Sequence, residues 1–310
     1  MTVLLRASID IGSNSVLLLA GELREGQFFE KLNEANITGL GKNLDEESMF
    51  SKKSMDKTFD VLKKYKKMLT SFDLEVEKTI VTATEASRVA RNATDFYEKV
   101  KKELGFSVKV ITSEGEAYYT GLGISGGYLG EKKEHIVVMD IGGASTELIK
   151  LKLDPFQILS SISLPMGSVR ATDWLKNKNF EKKLEEVMSL FPLVEYETSK
   201  IICVAGTMTS LAAMIKGLSF YKDQLIHGQE FDFIKFNGFI DKLKKLNPSD
   251  ILNKFPLIGK RFETITGGGI VGVEIGKALN VKKFSISTYG LRYGTLFEGA
   301  VHGRYISKEF

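Results

Sequence analysis

Residues that could tie the chain together through sulfur are almost missing. Cys203 is the only cysteine in 310 residues, so no internal disulfide can form and no zinc-type cysteine spacing exists. It lies in the apolar run 201–204, which predicts a buried structural thiol.

Long apolar runs are missing as well. No stretch approaches the roughly 18 apolar residues that a membrane span requires. Residues 1–7 read as a first strand and not as a signal peptide. We therefore expect a cytoplasmic protein without a membrane partner.

The excess of positive charge is small. The chain has 43 Lys and Arg residues against 39 Asp and Glu residues, and a formal net charge of +4 is too little to argue for DNA binding. Six basic and two acidic residues fall between Lys277 and the C-terminus. That segment is either a solvated basic surface or a surface that guides a polyanion.

One short motif is present in two copies. Residues 8–15 read SIDIGSNS and residues 139–146 read MDIGGAST, and in both copies the aspartate, Asp10 or Asp140, is followed by Ile-Gly. Glycines let backbone N–H groups turn toward an anion, hydroxyls add donors, and the Asp can hold a divalent cation. The repeat predicts two phosphate-binding hairpins that face each other across a cleft.

Each motif lies in a similar pattern of predicted elements. The predicted strands around the motifs are 4–10, 16–21 and 27–37 in the first half and 136–141, 147–151 and 157–164 in the second. Apolar residues from Met55 to Phe72 lie on one face of a predicted helix, and further strands and helices alternate after each meander. The pattern predicts an internally duplicated α/β protein with a hinge near 121–130.

With these motifs, the chain resembles the exopolyphosphatase and guanosine pentaphosphate phosphohydrolase (Ppx/GppA) family, within the actin, sugar kinase and heat-shock ATPase superfamily. The two copies are similar to the family's phosphate loops. Further family-like motifs are ATEASR at 83–88, SEGEA at 113–117, SLPMGSVR at 163–170, GTMTS at 206–210, His227-Gly228 and YGLRYG at 289–294.

The resemblance implies a fold of duplicated actin-like (ribonuclease H-like) domains, built from mixed sheets flanked by helices, with the active site in the interdomain cleft. Domain I is expected at 1–124 and domain II at 125–310, with the segment at about 289–310 as a candidate for packing back on domain I. We expect a short form without the C-terminal helical domain of longer relatives. A homodimer is left open.

The resemblance also assigns roles to residues. Asp140 and Asp10 would hold Mg²⁺ or another divalent cation, and Glu116 and Glu147 would be catalytic. The phosphate-binding residues would be Gly12, Ser13, Asn14, Ser15, Arg88, Gly142, Gly143, Ala144, Ser145 and Thr146. Arg88 can add a bidentate fork to phosphate oxygens, which a lysine cannot match.

Each assignment has a structural alternative. Arg88 could be a solvated helix charge, Glu116 an acid in the first turn of a helix, and Glu147 a carboxylate on a strand surface. His227 is interpreted as a satisfied structural histidine. The run 267–269 is either a nucleotide-contacting turn or a flexible connection before a helix at 271–279.

The chain departs from the family pattern at a few positions. Gly115 interrupts what is commonly a Glu-Glu pair, so Glu114 is the fallback for the role of Glu116. Ala144 stands where the family usually has a third glycine, and Thr288 stands where relatives often have Asp.

The activity implied is that of an exopolyphosphatase: metal-dependent hydrolysis of the terminal phosphoanhydride of inorganic polyphosphate, releasing orthophosphate. The alternative is a phosphohydrolase that removes the 5′-terminal phosphate of guanosine pentaphosphate (pppGpp). A nucleotide-dependent kinase or an actin-like assembly protein is more remote, because Arg88 and Glu116 lie in motifs of the hydrolase family.

Overall fold

The computed structural model describes residues 4–25, 27–128 and 134–310. The chain divides into two compact units. Unit 1 consists of residues 1–126 together with 291–310, and unit 2 is the continuous stretch 127–290.

Strands and helices alternate along the described residues. The strands are β1 (Leu4–Ile11), β2 (Ser15–Arg24), β3 (Gln27–Ile37), β4 (Ile80–Ala83), β5 (Val108–Ile111), β6 (Ile136–Ile141), β7 (Thr146–Leu153), β8 (Phe156–Leu164), β9 (Lys200–Val204), β10 (Glu230–Asp232), β11 (Lys283–Ile286) and β12 (Ile306–Glu309).

The α-helices are α1 (Leu44–Glu47), α2 (Lys52–Ser71), α3 (Glu85–Val89), α4 (Ala93–Leu104), α5 (Ser113–Gly127), α6 (Ser168–Lys176), α7 (Phe180–Ser189), α8 (Ala205–Ile215), α9 (Asp223–Ile226), α10 (Phe233–Leu243), α11 (Pro248–Lys254), α12 (Ile265–Ala278) and α13 (Leu291–Glu298). Short 3₁₀ helices occur at Val76–Lys78, Leu193–Tyr196, Pro256–Glu263 and Gly303–Tyr305.

Each unit contains one six-stranded sheet, and the two sheets have the same plan. Their strand orders are β12-β5-β4-β1-β2-β3 in unit 1 and β10-β11-β9-β6-β7-β8 in unit 2. In both, an antiparallel meander is extended by two parallel strands and closed by an antiparallel edge strand. The predicted duplicated α/β fold with mixed sheets is confirmed.

The parallel pairs bring the predicted motifs to one edge of each sheet. In unit 1, Asp10 is in register with Thr82 and Ile11 with Ala83, so the first motif and the motif at 83–88 lie side by side. In unit 2, Asp140 is in register with Val204 on β9. Carboxyl ends of neighbouring parallel strands are where ligands bind in α/β folds.

Helix α2 shows why the sequence pattern was informative. The side chain of Ser51 caps its first turn by accepting a hydrogen bond from the Ser54 N–H. Leu62, Tyr65 and Leu69 on one face are fully buried against the sheet, each contributing roughly 2 kcal/mol through apolar burial. The helix predicted from Met55 to Phe72 is confirmed.

The prediction for residues 267–269 was wrong. These glycines are neither a turn nor a flexible connection, because they lie buried inside α12. A Cβ at Gly267 would stand 2.5 Å from Thr172 Oγ1, and one at Gly268 would stand 2.5 Å from Thr207 Cγ2. The glycines allow α12 to pack closely on α6 and α8.

The hinge predicted near 121–130 falls only partly on described residues. Residues 121–127 are the last turns of α5, and 129 and 130 lie outside the described residues. Within the described part of the chain, none of the helices combines the length and apolar character needed to cross a bilayer.

Candidate active site

The turn between β1 and β2 directs one of its backbone amides away from the segment that supports the turn. Gly12 donates its N–H to the Ser15 carbonyl at 2.9 Å, which closes the turn. The Ser13 carbonyl accepts the Gly41 N–H at 2.8 Å. Because C=O and the following N–H point in opposite directions across a trans peptide, the Asn14 amide faces away from Gly41.

The turn between β6 and β7 in unit 2 repeats this arrangement. Gly142 donates its N–H to the Ser145 carbonyl at 3.0 Å. The Gly143 carbonyl accepts the N–H of Val169 in the first turn of α6 at 2.8 Å, so the Ala144 amide faces away from α6. In both turns the N–H of the first glycine closes the turn. The amides of Asn14 and Ala144 are the ones that face away from the segments supporting the turns.

Helix α6 presses directly on the second turn. A Cβ at Gly167, the residue before the helix, would lie 2.5 Å from the Gly143 carbonyl oxygen. Arg170 Nη1 donates to the Ala144 carbonyl at 2.6 Å. The sequence reasoning did not assign these two contacts, which fix the backbone of the turn.

Glu147 is held by two hydroxyl groups. The hydroxyls of Ser145 and Ser163 donate to its Oε1 at 2.7 and 2.8 Å, and the residue is 4% exposed. Glu147 stands opposite Asp140 in the β6–β7 register. The neighbouring Thr146 donates its hydroxyl to the Met166 carbonyl at 2.5 Å, which ties β7 to the segment that follows β8.

Asp10, near the end of β1, is a half-buried residue with one buried carboxylate oxygen. Its Oδ1 atom is buried and has no hydrogen-bond partner among the described residues. Burial and, to a smaller extent, the negative charge of Glu116 raise the pKa of Asp10, Arg292 opposes them, and the result is a rise from 3.8 to about 7. A buried acceptor of this kind is satisfied by a proton, a cation or an ordered water.

Arg88, in α3, organises the carboxylates near this position. Its Nη1 donates to Glu116 Oε2 and to the Ile111 carbonyl, both at 2.7 Å, and its Nη2 donates to Glu85 Oε2 at 2.9 Å. Although burial lowers the pKa of Arg88, the attraction of Glu116 and Glu85 outweighs it and raises the pKa. The contacts use three of the five guanidinium N–H groups, which leaves donors for a phosphate.

The two glutamates of the motif at 113–117 have different environments. Glu114 is exposed, whereas Glu116 is 8% exposed and paired with Arg88. Glu116 also acts on the pKa of Asp10, so it is the member of the pair that belongs to the cluster. Sequence reasoning missed Glu85, although its spacing of three residues from Arg88 on a helix is a recognisable ion-pair signal.

The donor set fits Mg²⁺ of the kind that is bound jointly by protein and substrate. No group of three or more His, Cys, Asp or Glu side chains suited to a metal occurs in the ranges that the structure describes. Mg²⁺ in phosphoryl-transfer enzymes is commonly held by one or two carboxylates together with substrate phosphates and water. The Oδ1 atom of Asp10, which has no hydrogen-bond partner among the described residues, has the chemistry of such a ligand.

His227 makes only structural contacts among the bonds seen. Its Nε2 lies 2.8 Å from the Gly127 carbonyl, and its Nδ1 accepts the Thr288 N–H at 3.3 Å. A carbonyl can only accept, so Nε2 carries the proton and the ring is neutral. Its ring also packs on Tyr289, with centroids 4.9 Å apart. These contacts support the interpretation of a satisfied structural histidine.

Each unit therefore brings together part of the predicted set. Unit 1 combines the first turn with Asp10, Arg88 and Glu116. Unit 2 combines the second turn with Asp140 and Glu147. That the two turns share a cleft stays a prediction.

Curated relatives carry three different names. The chain is 31% identical to a bifunctional 3-dehydroquinate synthase/phosphatase of Fusobacterium nucleatum, over 87% of this chain and 43% of that protein. It is 27% identical to exopolyphosphatase 2 of Mycobacterium tuberculosis, over 88% and 90% of the two chains. It is 28% identical to a guanosine-5′-triphosphate,3′-diphosphate pyrophosphatase of Vibrio vulnificus, over 95% and 59%. The chain thus spans less than two thirds of the first and third of these relatives.

Solved structures with the same fold cover almost the whole chain. The crystal structure of the Ppx/GppA family member from Aquifex aeolicus matches with a TM-score of 0.76 and 29% identity, over 96% of this chain and 97% of that one. An exopolyphosphatase structure from Cytophaga hutchinsonii matches in fold with a TM-score of 0.85 at 24% identity, over 96% and 99%.

A model of the Ppx/GppA phosphatase family matches residues 23–301, which include the second turn, Arg88 and Glu116. The predicted resemblance is confirmed, and the chain belongs to the Ppx/GppA phosphatase family.

Proposed function

We propose that the protein is an exopolyphosphatase, which hydrolyses the terminal phosphoanhydride of inorganic polyphosphate and releases orthophosphate. The observation that carries the proposal is the cluster of Asp10, Arg88 and Glu116 beside the first phosphate-binding turn. The exopolyphosphatase of M. tuberculosis, of which the chain covers 90%, supports this choice of substrate.

The proposed reaction requires a proton acceptor and a group that binds the charge of the phosphoryl group. Glu116 accepts a proton from water as the water oxygen attacks the terminal phosphorus. The bridging P–O bond breaks, and the shortened chain leaves as a phosphate anion. Arg88 orients Glu116 through Nη1 and offers its remaining N–H groups to the charge on the transferred phosphoryl group.

The turns contribute anion binding. In this proposal the outward amides of Asn14 and Ala144, each in its own unit, donate to phosphate oxygens, as does the hydroxyl of Ser13. The single proton of the Ser145 hydroxyl is already donated to Glu147, and this bond fixes the Ser145 side chain in the second turn.

A divalent cation is also part of the proposal. Asp10 in unit 1 and Asp140 in unit 2 are the residues that would hold Mg²⁺. When bound, Mg²⁺ neutralises phosphate charge.

The activity is tested by measuring phosphate release with Mg²⁺ from long-chain polyphosphate, from pppGpp and from ATP, side by side. We expect kcat/KM to be highest for polyphosphate. Preference for pppGpp would establish the alternative, which the relative in V. vulnificus favours by name. Preference for ATP with an acceptor-dependent phosphate transfer would contradict both.

The role of Glu116 is tested with its exposed neighbour as a matched control. Glu116→Gln should lower kcat by about 10²- to 10⁴-fold with KM little changed, because a positioned base is worth that much. Glu114→Gln removes one carboxylate from the same helical turn and should leave kcat within about twofold, since an exposed charge contributes little. The reverse result would move the role to Glu114.

A further inference from the structure

The C-terminal segment 302–310 lies against the helix that carries Glu116. Strand β12 within it pairs antiparallel with β5, the strand that leads into α5. The Tyr305 carbonyl accepts the N–H of Thr112, the residue between β5 and α5, at 2.9 Å. The segment therefore contacts both the strand and the start of the helix.

Helix α5 and the segment 302–310 approach each other closely at Gly115 and Tyr305. A Cβ placed on Gly115 would stand 2.8 Å from Tyr305 Cβ and 3.2 Å from the Tyr305 carbonyl oxygen. Carbon atoms do not approach that closely, so any side chain at 115 must push α5 and the segment apart. This accounts for the glycine that interrupts the glutamate pair.

Aromatic packing holds the segment against α5. The rings of Tyr118 and Tyr119 on α5 have centroids 5.0 and 5.8 Å from that of Tyr305. The Arg304 guanidinium stands 4.6 Å from the centre of the Tyr305 ring, and the Tyr119 hydroxyl accepts the His302 N–H at 2.8 Å. The position of Tyr305 is thus fixed on more than one side.

Hydrogen bonds of Thr112 and the first turn of α5 link Tyr305 to Glu116. The Thr112 hydroxyl accepts the Gly115 N–H at 3.1 Å, and the Thr112 carbonyl accepts the Glu116 N–H at 2.9 Å. Thr112 is the same residue whose N–H is bonded to Tyr305. A shift at Tyr305 is therefore carried to Glu116 through one intervening residue.

We propose that Tyr305, through its contact with Gly115, is a positioning residue for Glu116: the segment 302–310 sets where the first turn of α5 lies and so where the Glu116 carboxylate meets Arg88. The inference rests on the proposed function, since it concerns the group that we assign to water activation.

The first test is Gly115→Ala. We expect kcat to fall about tenfold or more with KM within about twofold, because small misplacements of a catalytic group are costly and substrate binding is left in place. Alanine is ordinarily the better helix former, so helix propensity alone predicts no loss. The matched control is Gly303→Ala in the same segment, where an added Cβ meets nothing within 4 Å and kcat should not change.

The second test is a double-mutant cycle with Tyr305→Gly, which removes the Cβ that a side chain at 115 would meet. The fold-loss in kcat caused by Gly115→Ala should be clearly smaller in the Tyr305→Gly background than in the wild-type background. Tyr305→Phe, which keeps the ring and the Cβ, should behave as wild type. An equal loss in both backgrounds would overturn the proposal.

A spectroscopic readout separates this proposal from the assignment of Glu116. The guanidinium ¹⁵N and ¹H resonances of Arg88 report its bond to Glu116 and should shift in Gly115→Ala but not in Gly303→Ala. If they shift while Glu116→Gln keeps full activity, the positioning holds and the catalytic assignment fails. Unshifted resonances with wild-type kcat in Gly115→Ala would overturn the positioning role.

Discussion

At the scale of single residues, two carboxyl groups of unit 1 have opposite surroundings. Glu116 has an arginine partner at 2.7 Å, whereas Asp10 has a buried oxygen without a partner among the described residues. The pKa of Asp10 is accordingly raised to about 7, first by burial and then by Glu116. A raised carboxyl pKa makes the folded state hold a proton that the unfolded state releases.

The stability of the metal-free protein should therefore fall between about pH 4 and pH 7. The folded pKa of Asp10 lies above its ordinary value of 3.8, so the stabilisation is complete below that value and is lost as pH rises to about 7. The difference amounts to about 4 kcal/mol at most. Urea unfolding in EDTA at pH 5 and pH 8 should show about 2 to 3 kcal/mol of this loss in wild type, since the rest is already lost by pH 5, and none of it in Asp10→Asn.

Added Mg²⁺ provides the control for that measurement. At pH 8, Mg²⁺ should raise the free energy of unfolding of the wild-type protein, because a ligand that binds the folded state stabilises it. It should have little effect on the free energy of unfolding of Asp10→Asn. Equal stabilisation of the two proteins would remove Asp10 from the metal site.

Arg88 should not tolerate its usual conservative replacement. Arg88→Lys keeps the charge but cannot hold Glu116, Glu85 and the Ile111 carbonyl with one planar group. Loss of one or two charged hydrogen bonds predicts a fall in kcat/KM of about 10- to 100-fold. Glu85→Gln, measured alongside, should be milder, since it leaves the bond to Glu116 intact.

Short motifs made some of these residues predictable. The roles proposed for Asp10, Arg88 and Glu116 could be read from the sequence because each lies in a compact motif. The bond from Ser163 to Glu147 could not be predicted, because the two residues are brought together by strand pairing.

At the scale of elements, the two turns share a plan but have different supports. A short segment that ends at Gly41 backs the first turn, and the start of α6 backs the second. The residue in register with the aspartate differs too: Leu17 faces Asp10, and Glu147 faces Asp140. The duplicated elements have thus acquired different side chains at equivalent positions.

Gly167→Ala should displace the second turn. Its backbone has φ −134° and ψ −177°, which any residue can adopt, so the obstacle is the peptide between Gly143 and Ala144. The oxygen, carbon and nitrogen of that peptide would lie 2.5, 2.6 and 2.8 Å from the new Cβ. We expect a fall in kcat/KM of about tenfold or more, because the phosphate-binding amides move.

Gly238→Ala on the exposed face of α10 is the matched control. An added Cβ meets nothing within 4 Å there, so it should leave activity unchanged and raise the free energy of unfolding by about 0.5 to 1 kcal/mol. If both variants behaved alike in activity assays, the close approach of α6 would have no role in substrate binding.

The sequence pattern predicted the long elements and the short strands β5 and β9, but it missed β12 and misread the glycines of α12. The meanders and α2 carry clear apolar patterns, and they are confirmed. Strand β12 has four residues with mostly exposed side chains, and only its partner strand β5 makes it a strand. In α12 three consecutive glycines allow close helix packing. In the sequence alone, such a run of glycines resembles a turn signal.

At the scale of the whole molecule, four of the six basic C-terminal residues have protein partners within their own units. Lys277 pairs with Glu274 and Lys283 with Glu230, both in unit 2. In unit 1, Arg292 donates to the Leu18 carbonyl and to Asn33, and Arg304 lies over Tyr305. These contacts favour structural roles over a continuous surface that guides a polyanion.

Deleting residues 306–310 should lower the local stability of unit 1 and leave that of unit 2 unchanged. Phe310 exchanges two backbone hydrogen bonds with Val108, at 3.0 and 3.1 Å, and its ring packs on Tyr97 at 5.6 Å. Hydrogen exchange should become faster in β5 and the start of α5, while β9 and β11 keep their protection. Lys308→Ala, which changes an exposed side chain, should leave the exchange pattern unaltered, and uniform loss in both units would contradict the expectation.

The discontinuous chain of unit 1 has a consequence for the order of folding on the ribosome. Unit 2 is continuous, so it can fold once residue 290 has emerged, whereas unit 1 must wait for 291–310. Tyr305 is synthesised after the whole of unit 2, so in a nascent chain the first turn of α5, which carries Glu116, lacks its contact with Tyr305 until that residue has emerged. Activity in such a chain would be gained only after unit 2 has had the opportunity to fold.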